Sequence, residues 1–143
     1  MNRISRDSML IQVAQIVAKR ATCGRRQVGA VIAREGRILV TGYNGPPPNA
    51  AHCDPTICDL SRACTRSTHA EANAIAFAAR EGIRLEDSTL YLTLTPCLSC
   101  SQLVVASGIS RVICLEPYRD EAGLLWLTRH GVSFTYASDL ELL

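Results

Sequence analysis

Apolar positions along the chain follow two different spacings, which predicts a mixture of helices and strands. Apolar residues three and four apart predict an amphipathic helix over residues 8–20. Two short apolar runs follow, residues 28–33 and 38–42, separated by the turn residues Glu35 and Gly36. This pattern predicts two antiparallel strands joined as a hairpin.

A long segment without periodicity follows the hairpin. Three prolines come directly after Gly45 and end regular structure, and the pattern resumes only near residue 66. Structureless connections in compact domains rarely exceed about 12–15 residues. We therefore expect this segment to be functional, tied to itself, or both.

The remaining sequence alternates between strand and helical spacings, so that the chain after the first helix has the order ββαβαβαβ. This order predicts one α/β domain over residues 1–143, a three-layer α/β/α sandwich with a central mixed five-stranded sheet. Helices are predicted at 69–80, 97–107 and 120–130, strands at 88–94, 111–115 and 132–136, and a terminal helical turn at 137–143.

Composition narrows the classes of function. The chain is 48% hydrophobic and 20% charged, which is ordinary for a globular protein, and it lacks a signal-peptide profile. No apolar run approaches the ~18 residues of a membrane helix, so we expect a cytoplasmic protein without a membrane partner. A net charge of +2 and an aromatic content of 5% do not favour nucleic acid as a partner, which disfavours a polynucleotide-editing enzyme.

The seven cysteines are grouped along the chain. Cys53, Cys58 and Cys64 lie in the long aperiodic segment, whereas Cys97 and Cys100 form a Cys-x-x-Cys pair. A secreted disulfide framework usually has an even cysteine count, a smaller chain and a signal peptide. In a reducing compartment clustered cysteines more often bind a metal, which is what we expect here.

The Cys-x-x-Cys pair begins one predicted helix, and His69 and Glu71 begin the preceding helix. Two cysteines three residues apart at a helix start place both thiols on one face, where the helix dipole favours the thiolates that zinc requires. His69 supplies a third ligand to Cys97 and Cys100. Three protein ligands leave the fourth tetrahedral position for water, as in a catalytic zinc site.

Glu71 follows His69 by two residues and is placed to contact that water rather than the metal. Zinc lowers the pKa of bound water to about 7, so hydroxide is available at neutral pH. Attack on C4 of cytosine needs a proton at N3 and another on the departing ammonia, and one carboxyl group can carry both. The pattern H-x-E followed by P-C-x-x-C is the established signature of zinc deaminases, so it predicts this chemistry.

Each half of this pattern is weak when it stands alone. Cys-x-x-Cys by itself more often indicates thiol redox chemistry or a structural zinc, and His-Ala-Glu begins many surface helices. The two halves together, on successive helices separated by one apolar strand, favour the catalytic site over a structural zinc or a coincidence.

Further motifs lie along nearly the whole chain, at residues 28–32, 42–45, 52–54, 69–75, 90–93, 96–100 and 107–109. Together they resemble those of the deoxycytidylate (dCMP) deaminase family, within the cytidine deaminase superfamily. The Gly-Tyr-Asn-Gly and His-Cys-Asp motifs distinguish this resemblance from one to the families that act on free cytidine or on tRNA adenosine. The cysteine segment is also similar to that of competence-operon proteins related to dCMP deaminase.

The resemblance implies a cytidine deaminase-like fold and zinc-dependent hydrolysis of dCMP to dUMP and ammonia, in pyrimidine deoxynucleotide metabolism. It implies that Glu71 shuttles protons, that Asn44 contacts the sugar and that Ala70 offers its backbone to the base. Tyr118 would help to close the pocket. From the residues alone, Asn44 could instead occupy a turn, and Tyr118 could be an aromatic residue at a strand end.

The family is commonly a homo-oligomer, a hexamer or a dimer, and is often regulated by dCTP and dTTP together with Mg²⁺. This chain departs from the family after Gly45, where three prolines replace a small or hydroxyl residue followed by glycine. The substrate is therefore left open between dCMP and the alternatives dCTP or a 5-substituted dCMP. A non-catalytic zinc protein of the same fold is a further alternative, which Glu71 disfavours because a structural zinc has no use for that carboxyl group.

A second, structural zinc is predicted from the cysteines outside the Cys-x-x-Cys pair. Four thiolates make a closed tetrahedral site that would fix the long segment beside the pocket. His52 could replace one of them, and unlinked reduced cysteines are the alternative. The predicted ligands are Cys23, Cys53, Cys58 and Cys64.

Four arginines are candidate phosphate contacts. Arginine suits phosphate because of its planar fork of donors, although solvated surface is the alternative for each arginine. The candidates are Arg25, Arg26, Arg62 and Arg66.

The remaining cysteine, Cys114, lies inside a predicted strand and is expected to be a small core residue.

Overall fold

The computed structural model describes residues 1–54 and 56–140, and its elements follow the predicted order. Their boundaries lie within two residues of those predicted, and the part of the terminal turn at 141–143 lies outside the described residues. The elements are α1 (Arg6–Ala18), β1 (Gly29–Arg34), β2 (Arg37–Tyr43), α2 (Ala70–Glu81), β3 (Thr89–Leu94), α3 (Leu98–Ala106), β4 (Arg111–Glu116), α4 (Ala122–Arg129), β5 (Ser133–Tyr136) and a 3₁₀ turn (Ala137–Leu140).

The five strands form one mixed sheet with the order β2-β1-β3-β4-β5. β1 pairs antiparallel with both β2 and β3, whereas β3, β4 and β5 run parallel to one another. The hairpin turn between β1 and β2 places Glu35 and Gly36 at φ 54° and 77°. Positive φ at both central residues is what a two-residue hairpin turn needs to match the strand twist. The predicted hairpin and mixed sheet are therefore confirmed.

Successive strand residues supply two separate cores, one on each face of the sheet. Ala30 and Ile32 of β1 belong to the core that α2, α3 and α4 cover, and Val31 and Ala33 belong to the core under α1. Because strand side chains alternate between faces, a strand buried on both faces must be apolar throughout, as β1 is. The layers are α1, the sheet, and α2–α4, which confirms the predicted sandwich. No helix among the described residues has the length and apolar character needed to span a membrane.

Gly42 in β2 allows α2 to lie unusually close to the sheet. A Cβ atom at this position would stand 2.3 Å from the carbonyl oxygen of Ala70 and 2.8 Å from the amide nitrogen of Ala74. Any larger residue would have to move the first turn of α2. This contact therefore fixes the position of the helix that begins with the His-Ala-Glu motif.

The long aperiodic segment is closed at its base by backbone hydrogen bonds. The amide of Gly45 donates to the carbonyl of Thr68 at 3.1 Å, and the amide of Thr68 donates back to Gly45 at 2.8 Å. Between these two residues the described part of the segment contains turns but neither helix nor strand. The prediction of an aperiodic connection is confirmed for the residues that the structure describes.

Asp7 joins the first turn of α1 to two strands of the sheet. Its carboxylate accepts a hydrogen bond from the hydroxyl of Tyr91 at 2.6 Å and an ion-paired hydrogen bond from Arg111 at 2.8 Å. Burial by itself raises the pKa of Asp7, but the bonds from Arg111 and Tyr91 outweigh burial and leave the pKa below its ordinary value. The network therefore stabilises the packing of α1 as long as the carboxylate is charged.

Asp7→Asn is expected to lower the free energy of unfolding at pH 7 by about 1–2 kcal/mol, because it removes a partly exposed charge-assisted bond. The folded pKa of Asp7 lies below the unfolded one, so its contribution is present above the unfolded pKa and is lost as pH falls through the folded pKa. Denaturant titrations should show the difference between parent and variant shrinking below about pH 4. Asp139→Asn, at an exposed position, is the matched control. A difference that stays constant into strong acid would contradict the assignment.

Candidate active site

The side chains at two helix starts meet beside the sheet. His69 is the N-cap of α2 and Cys97 is the N-cap of α3, both with extended backbone at φ −67°, ψ 154° and φ −69°, ψ 172°. The sequence predicts these helices to begin one residue earlier, at 69 and 97, which is wrong by that residue. The difference matters because an N-cap side chain projects from the end of the helix, where the dipole favours negative charge.

His69, Cys97 and Cys100 form one group in which all the candidate ligand atoms lie within 4.8 Å of one another. The Nδ1 atom of His69 is 3.6 Å from the Sγ atom of Cys97 and 3.4 Å from the Sγ atom of Cys100. Around a tetrahedral zinc ion, bonds of about 2.0 Å to nitrogen and about 2.3 Å to sulfur place neighbouring ligand atoms roughly 3.5 Å apart. The three donors therefore match zinc in both chemistry and spacing.

The electrostatics of the group already favour a thiolate. Hydrogen bonds from Cys100 and His69, helped by Ser99, lower the pKa of Cys97 to about 3 against the opposing effect of burial. The hydrogen bond with Cys97, together with burial, raises the pKa of Cys100. The hydrogen bond to Cys97 also raises the pKa of His69. The surroundings of Cys97 thus favour its thiolate, and a bound cation would favour the thiolate form of both sulfurs.

Glu71 lies in the first turn of α2 and is only 3% exposed. Burial raises the pKa of its carboxyl group, and the hydrogen bond with Cys100 opposes that effect. A buried carboxyl group beside a set of metal donors can take up and release a proton without exchanging it with bulk water. This is the property that the sequence prediction requires of Glu71.

A cavity of about 410 Å³ opens beside these residues, a size that suits a small ligand. Asn44, Ala70 and Tyr118, the predicted substrate contacts, all line it together with His69 and Glu71. The structure thus brings the predicted residues to one place, although the contact that each makes with a substrate stays a prediction.

Asn44 has a structural role that the sequence did not indicate. Its side chain is buried, its Oδ1 atom accepts a hydrogen bond from the amide of Val28, and its Nδ2 atom donates to the carbonyl of Arg26, both at 2.7 Å. These bonds hold the segment before β1 against the cavity. The amide keeps one further donor and acceptor site, so holding this segment and contacting a sugar are compatible.

The candidate phosphate contacts are distributed over two cavities. Arg26 lines the active-site cavity, Arg62 and Arg66 line a separate cavity in the aperiodic segment, and Arg25 lines both. Arg119, which the sequence analysis did not single out, also lines the active-site cavity. A single arginine in a loop carries no spacing signal, and only its position next to Tyr118 could have suggested it.

The cysteines predicted to hold a second zinc are spread over two cavities. Cys53, Cys58 and Cys64 line a cavity of about 250 Å³, and Cys64 also lines the active-site cavity with Cys23. Among the described residues, their sulfur atoms do not come together as a ligand group, in contrast to His69, Cys97 and Cys100. The second zinc therefore stays a prediction. Cys114 is fully buried in β4, as expected for a core residue.

A histidine and two cysteines meet at the starts of neighbouring helices of an α/β/α sandwich, and a buried glutamate follows the histidine by two positions. This arrangement defines the class of zinc-dependent deaminases. The chain belongs to the cytidine and deoxycytidylate deaminase family, because the model of that family's zinc-binding region matches residues 4–116. A catalytic zinc is thus indicated by both the donor set and the family.

Individual relatives agree with this membership. The deoxycytidylate deaminase of Mycobacterium phage D29 is 41% identical over 125 residues, which cover 79% of this chain and 96% of the phage protein. ComE operon protein 2 of Bacillus subtilis is 34% identical over 120 residues, covering 83% of this chain but only 64% of that protein. The solved structure of dCMP deaminase from cyanophage S-TIM5 in complex with dCMP and dUMP matches with a TM-score of 0.85 at 27% identity, over 95% of this chain and 99% of that one. The resemblance and the cytidine deaminase-like fold are confirmed.

Proposed function

We propose that the protein deaminates dCMP to dUMP with release of ammonia, in pyrimidine deoxynucleotide metabolism. The observation that carries this proposal is the buried carboxyl group of Glu71 beside the His69, Cys97 and Cys100 donors at a cavity of nucleotide size. The phage D29 relative, which is named a deoxycytidylate deaminase, and the S-TIM5 enzyme in complex with dCMP and dUMP support the choice of substrate.

The proposed zinc ligands are Nδ1 of His69 and the Sγ atoms of Cys97 and Cys100. When bound, zinc supplies Lewis-acid chemistry that lowers the pKa of water to about 7 and so provides hydroxide at neutral pH. The three residues hold the charge and geometry that this chemistry needs. Their positions at helix starts, rather than on loops, make the donor set rigid.

Glu71 is proposed to move protons between the water and the base. Its carboxylate accepts the first proton that the attacking water loses and delivers it to N3 of the ring. It then carries the second water proton to the exocyclic amino group, which leaves from C4 as ammonia. Burial raises the pKa of Glu71, which favours the protonated form that each delivery requires.

The remaining contacts would orient the base and sugar. The backbone of Ala70, fully buried between His69 and Glu71, is proposed to bind the base. Asn44 is proposed to contact the sugar with the donor and acceptor sites that its bonds to the backbone leave free, and Tyr118 to close the cavity. Each contact holds C4 near Glu71, which lowers the entropic part of the barrier.

A parallel assay tests the proposed function. Loss of cytosine absorbance is measured with dCMP, dCTP, 5-methyl-dCMP and cytidine, and dCMP is expected to give the highest kcat/KM. A higher value for dCTP or 5-methyl-dCMP would assign the alternative substrate. Absence of turnover with all four in zinc-loaded protein would contradict the enzyme and favour a non-catalytic zinc protein.

We further propose a structural zinc held by Cys23, Cys53, Cys58 and Cys64. All four are free thiols, and the cavities that they line share Cys64, so that the aperiodic segment has donors of the right type on two sides. Closing the tetrahedral site would require the segment to draw these sulfurs together. Metal binding and ordering of the segment would then be coupled.

Metal analysis of the purified protein is expected to find two zinc ions per chain. Cys58→Ala should reduce this to one and lower the melting temperature, because a structural site that loses a thiolate no longer closes. Cys114→Ala, the same substitution at a buried core position, should keep both ions. One zinc per chain in the active parent protein would contradict the second site.

Residues 1–143 are proposed to act as one domain that assembles into a homo-oligomer, a hexamer or a dimer, in the cytoplasm. Family resemblance supports the oligomer, as do large apolar side chains that stay exposed on the helices. We also propose that a nucleotide effector binds together with Mg²⁺. Light scattering tests the oligomeric state, and activity assays with and without dCTP and Mg²⁺ test the effector. The most exposed of these apolar side chains on the helices are those of Ile16, Phe77, Leu103 and Leu125.

A further inference from the structure

Three arginines line the active-site cavity, but deamination at C4 gives none of them a role. Arg25 is already bound elsewhere, since its guanidinium donates to the carbonyl of Asp59 and, at 3.4 Å, to the Sγ atom of Cys58. It therefore forms part of the wall between the cavity and the cysteine segment. Arg26 and Arg119 remain as cations that a ligand could reach.

Arg26 is held at the cavity by its backbone and paired there by its side chain. Its carbonyl accepts the 2.7 Å hydrogen bond from Asn44, and its guanidinium makes a 2.5 Å ion pair with Glu116. The two side chains of the pair are 54% and 56% exposed. An ion pair this open to water is weak, so a stronger anion can displace the carboxylate.

Arg119 is exposed and lies over the ring of the neighbouring Tyr118, with its guanidinium carbon 5.8 Å from the ring centre. Within the described ranges it makes no ion pair. Arg26 and Arg119 thus line one cavity from segments far apart in the chain, before β1 and after β4. The cavity therefore carries fixed positive charge on its exposed side and Glu71 on its buried side.

We propose that Arg26 and Arg119 bind the 5′-phosphate of the nucleotide, and that Arg26 exchanges Glu116 for the phosphate when the substrate enters. The inference rests on the proposed function, and it assigns the residues that select a nucleotide over a nucleoside. A phosphate carries nearly two negative charges at neutral pH and matches the planar guanidinium fork, so it competes better for Arg26 than a single carboxylate does. A free nucleoside has no group to make this exchange.

Arg26→Ala and Arg119→Ala test the assignment with dCMP and deoxycytidine as paired substrates. Each variant is expected to lower kcat/KM for dCMP about 10- to 100-fold, mainly through KM, because it loses a charge-assisted contact. Deoxycytidine should change less than about twofold, since it lacks that contact. Arg129→Ala at the end of α4 removes the same charge outside the cavity and should change neither substrate. Equal losses on both substrates would overturn the assignment.

Glu116→Gln tests the exchange separately. Without the competing carboxylate, the KM for dCMP is expected to fall about two- to fivefold at low salt, and the gain should shrink as salt rises. The kinetics with deoxycytidine should stay at the parent value. A rise in the KM for dCMP would overturn the exchange, because it would mean that Glu116 holds Arg26 in its productive position.

Binding of the product separates this inference from the proposed function. Calorimetry with dUMP and deoxyuridine needs no turnover, and the parent protein is expected to bind dUMP more tightly. Loss of that preference in Arg26→Ala and Arg119→Ala supports the phosphate contacts even in a protein that deaminates nothing. A preference that persists in both variants overturns them, even where dCMP is turned over.

Discussion

Glu71→Gln is expected to lower kcat for dCMP by about 10²- to 10⁴-fold while zinc content stays at the parent level. The substitution keeps the size and hydrogen-bonding capacity of the side chain but removes its ability to take up and release a proton. Because Glu71 is 3% exposed, bulk water has little access to its carboxyl group and cannot readily replace it as a proton carrier. Initial rates at saturating dCMP, together with metal analysis of the same sample, measure the effect.

The control for this prediction lies on the same helix. Glu81→Gln makes the same chemical change at the exposed C-terminal end of α2, whereas the metal donor His69 lies at the N-terminal end of that helix. It should leave kcat and zinc content unchanged. A Glu71→Gln protein that keeps its zinc and retains more than about a tenth of the parent kcat would exclude Glu71 as the proton carrier.

The metal donors could be predicted from sequence because their arrangement is local. Cys97 and Cys100 are three positions apart, and His69 and Glu71 are two apart, so proximity in sequence places each pair at one helix start. The one-residue shift of both helix starts changed the conformation of His69 and Cys97 but not the atoms that meet. Local spacing thus determined the chemistry more firmly than the element boundaries.

The two cores were predictable for a related reason. Apolar residues fill both faces of β1, and this pattern indicates a central strand covered on both sides, which the structure confirms. No local sequence pattern predicts the strand order β2-β1-β3-β4-β5. This order follows from which helix covers which face, and therefore from packing between segments far apart in the chain.

The exposed side of the cavity could not be predicted because its residues meet only in the fold. Arg26 and Glu116 are 90 positions apart, and no periodicity connects them. The sequence indicated Arg25, Arg26, Arg62 and Arg66 with equal weight, but only the fold shows that Arg26 lines the active-site cavity, that Arg62 and Arg66 line the cavity in the aperiodic segment, and that Arg25 lies between the two. Asn44 shows the same limit, since a glycine after it suggested a turn while its bonds hold the segment before β1.

These differences explain why the sequence predicts how the base is recognised better than how the phosphate is recognised. In our proposal, recognition of cytosine and its deamination depend on a compact set of residues at two helix starts. The proposed recognition of the phosphate depends instead on charges contributed from before β1 and after β4, whose mutual distance the sheet sets. Two members of the family can therefore share the metal donors and still differ in the nucleotide that they accept.

Cys97→Ala is expected to abolish deamination by removing the metal as well as one of its ligands. Loss of an outer-shell partner commonly costs 10- to 100-fold in metal affinity, so loss of a direct thiolate ligand should cost more than about 100-fold. Hydrogen bonds from Cys100 and His69 lower the pKa of Cys97, which favours its thiolate, and the substitution removes this negative charge from the group that attracts zinc. Chelator competition and zinc content measure the affinity, and rates with and without added zinc measure the activity.

Cys114→Ala provides the matched control, because Cys114 is fully buried in β4 and belongs to the core rather than to the metal group. It should cost about 1 kcal/mol of stability and retain the catalytic zinc and its activity.

Glu71→Gln should keep zinc but lose turnover, whereas Cys97→Ala should lose both, so the two variants separate proton transfer from metal binding. A Cys97→Ala protein with parent zinc affinity would show that the metal is held by other residues, and the proposed ligand set would then be wrong.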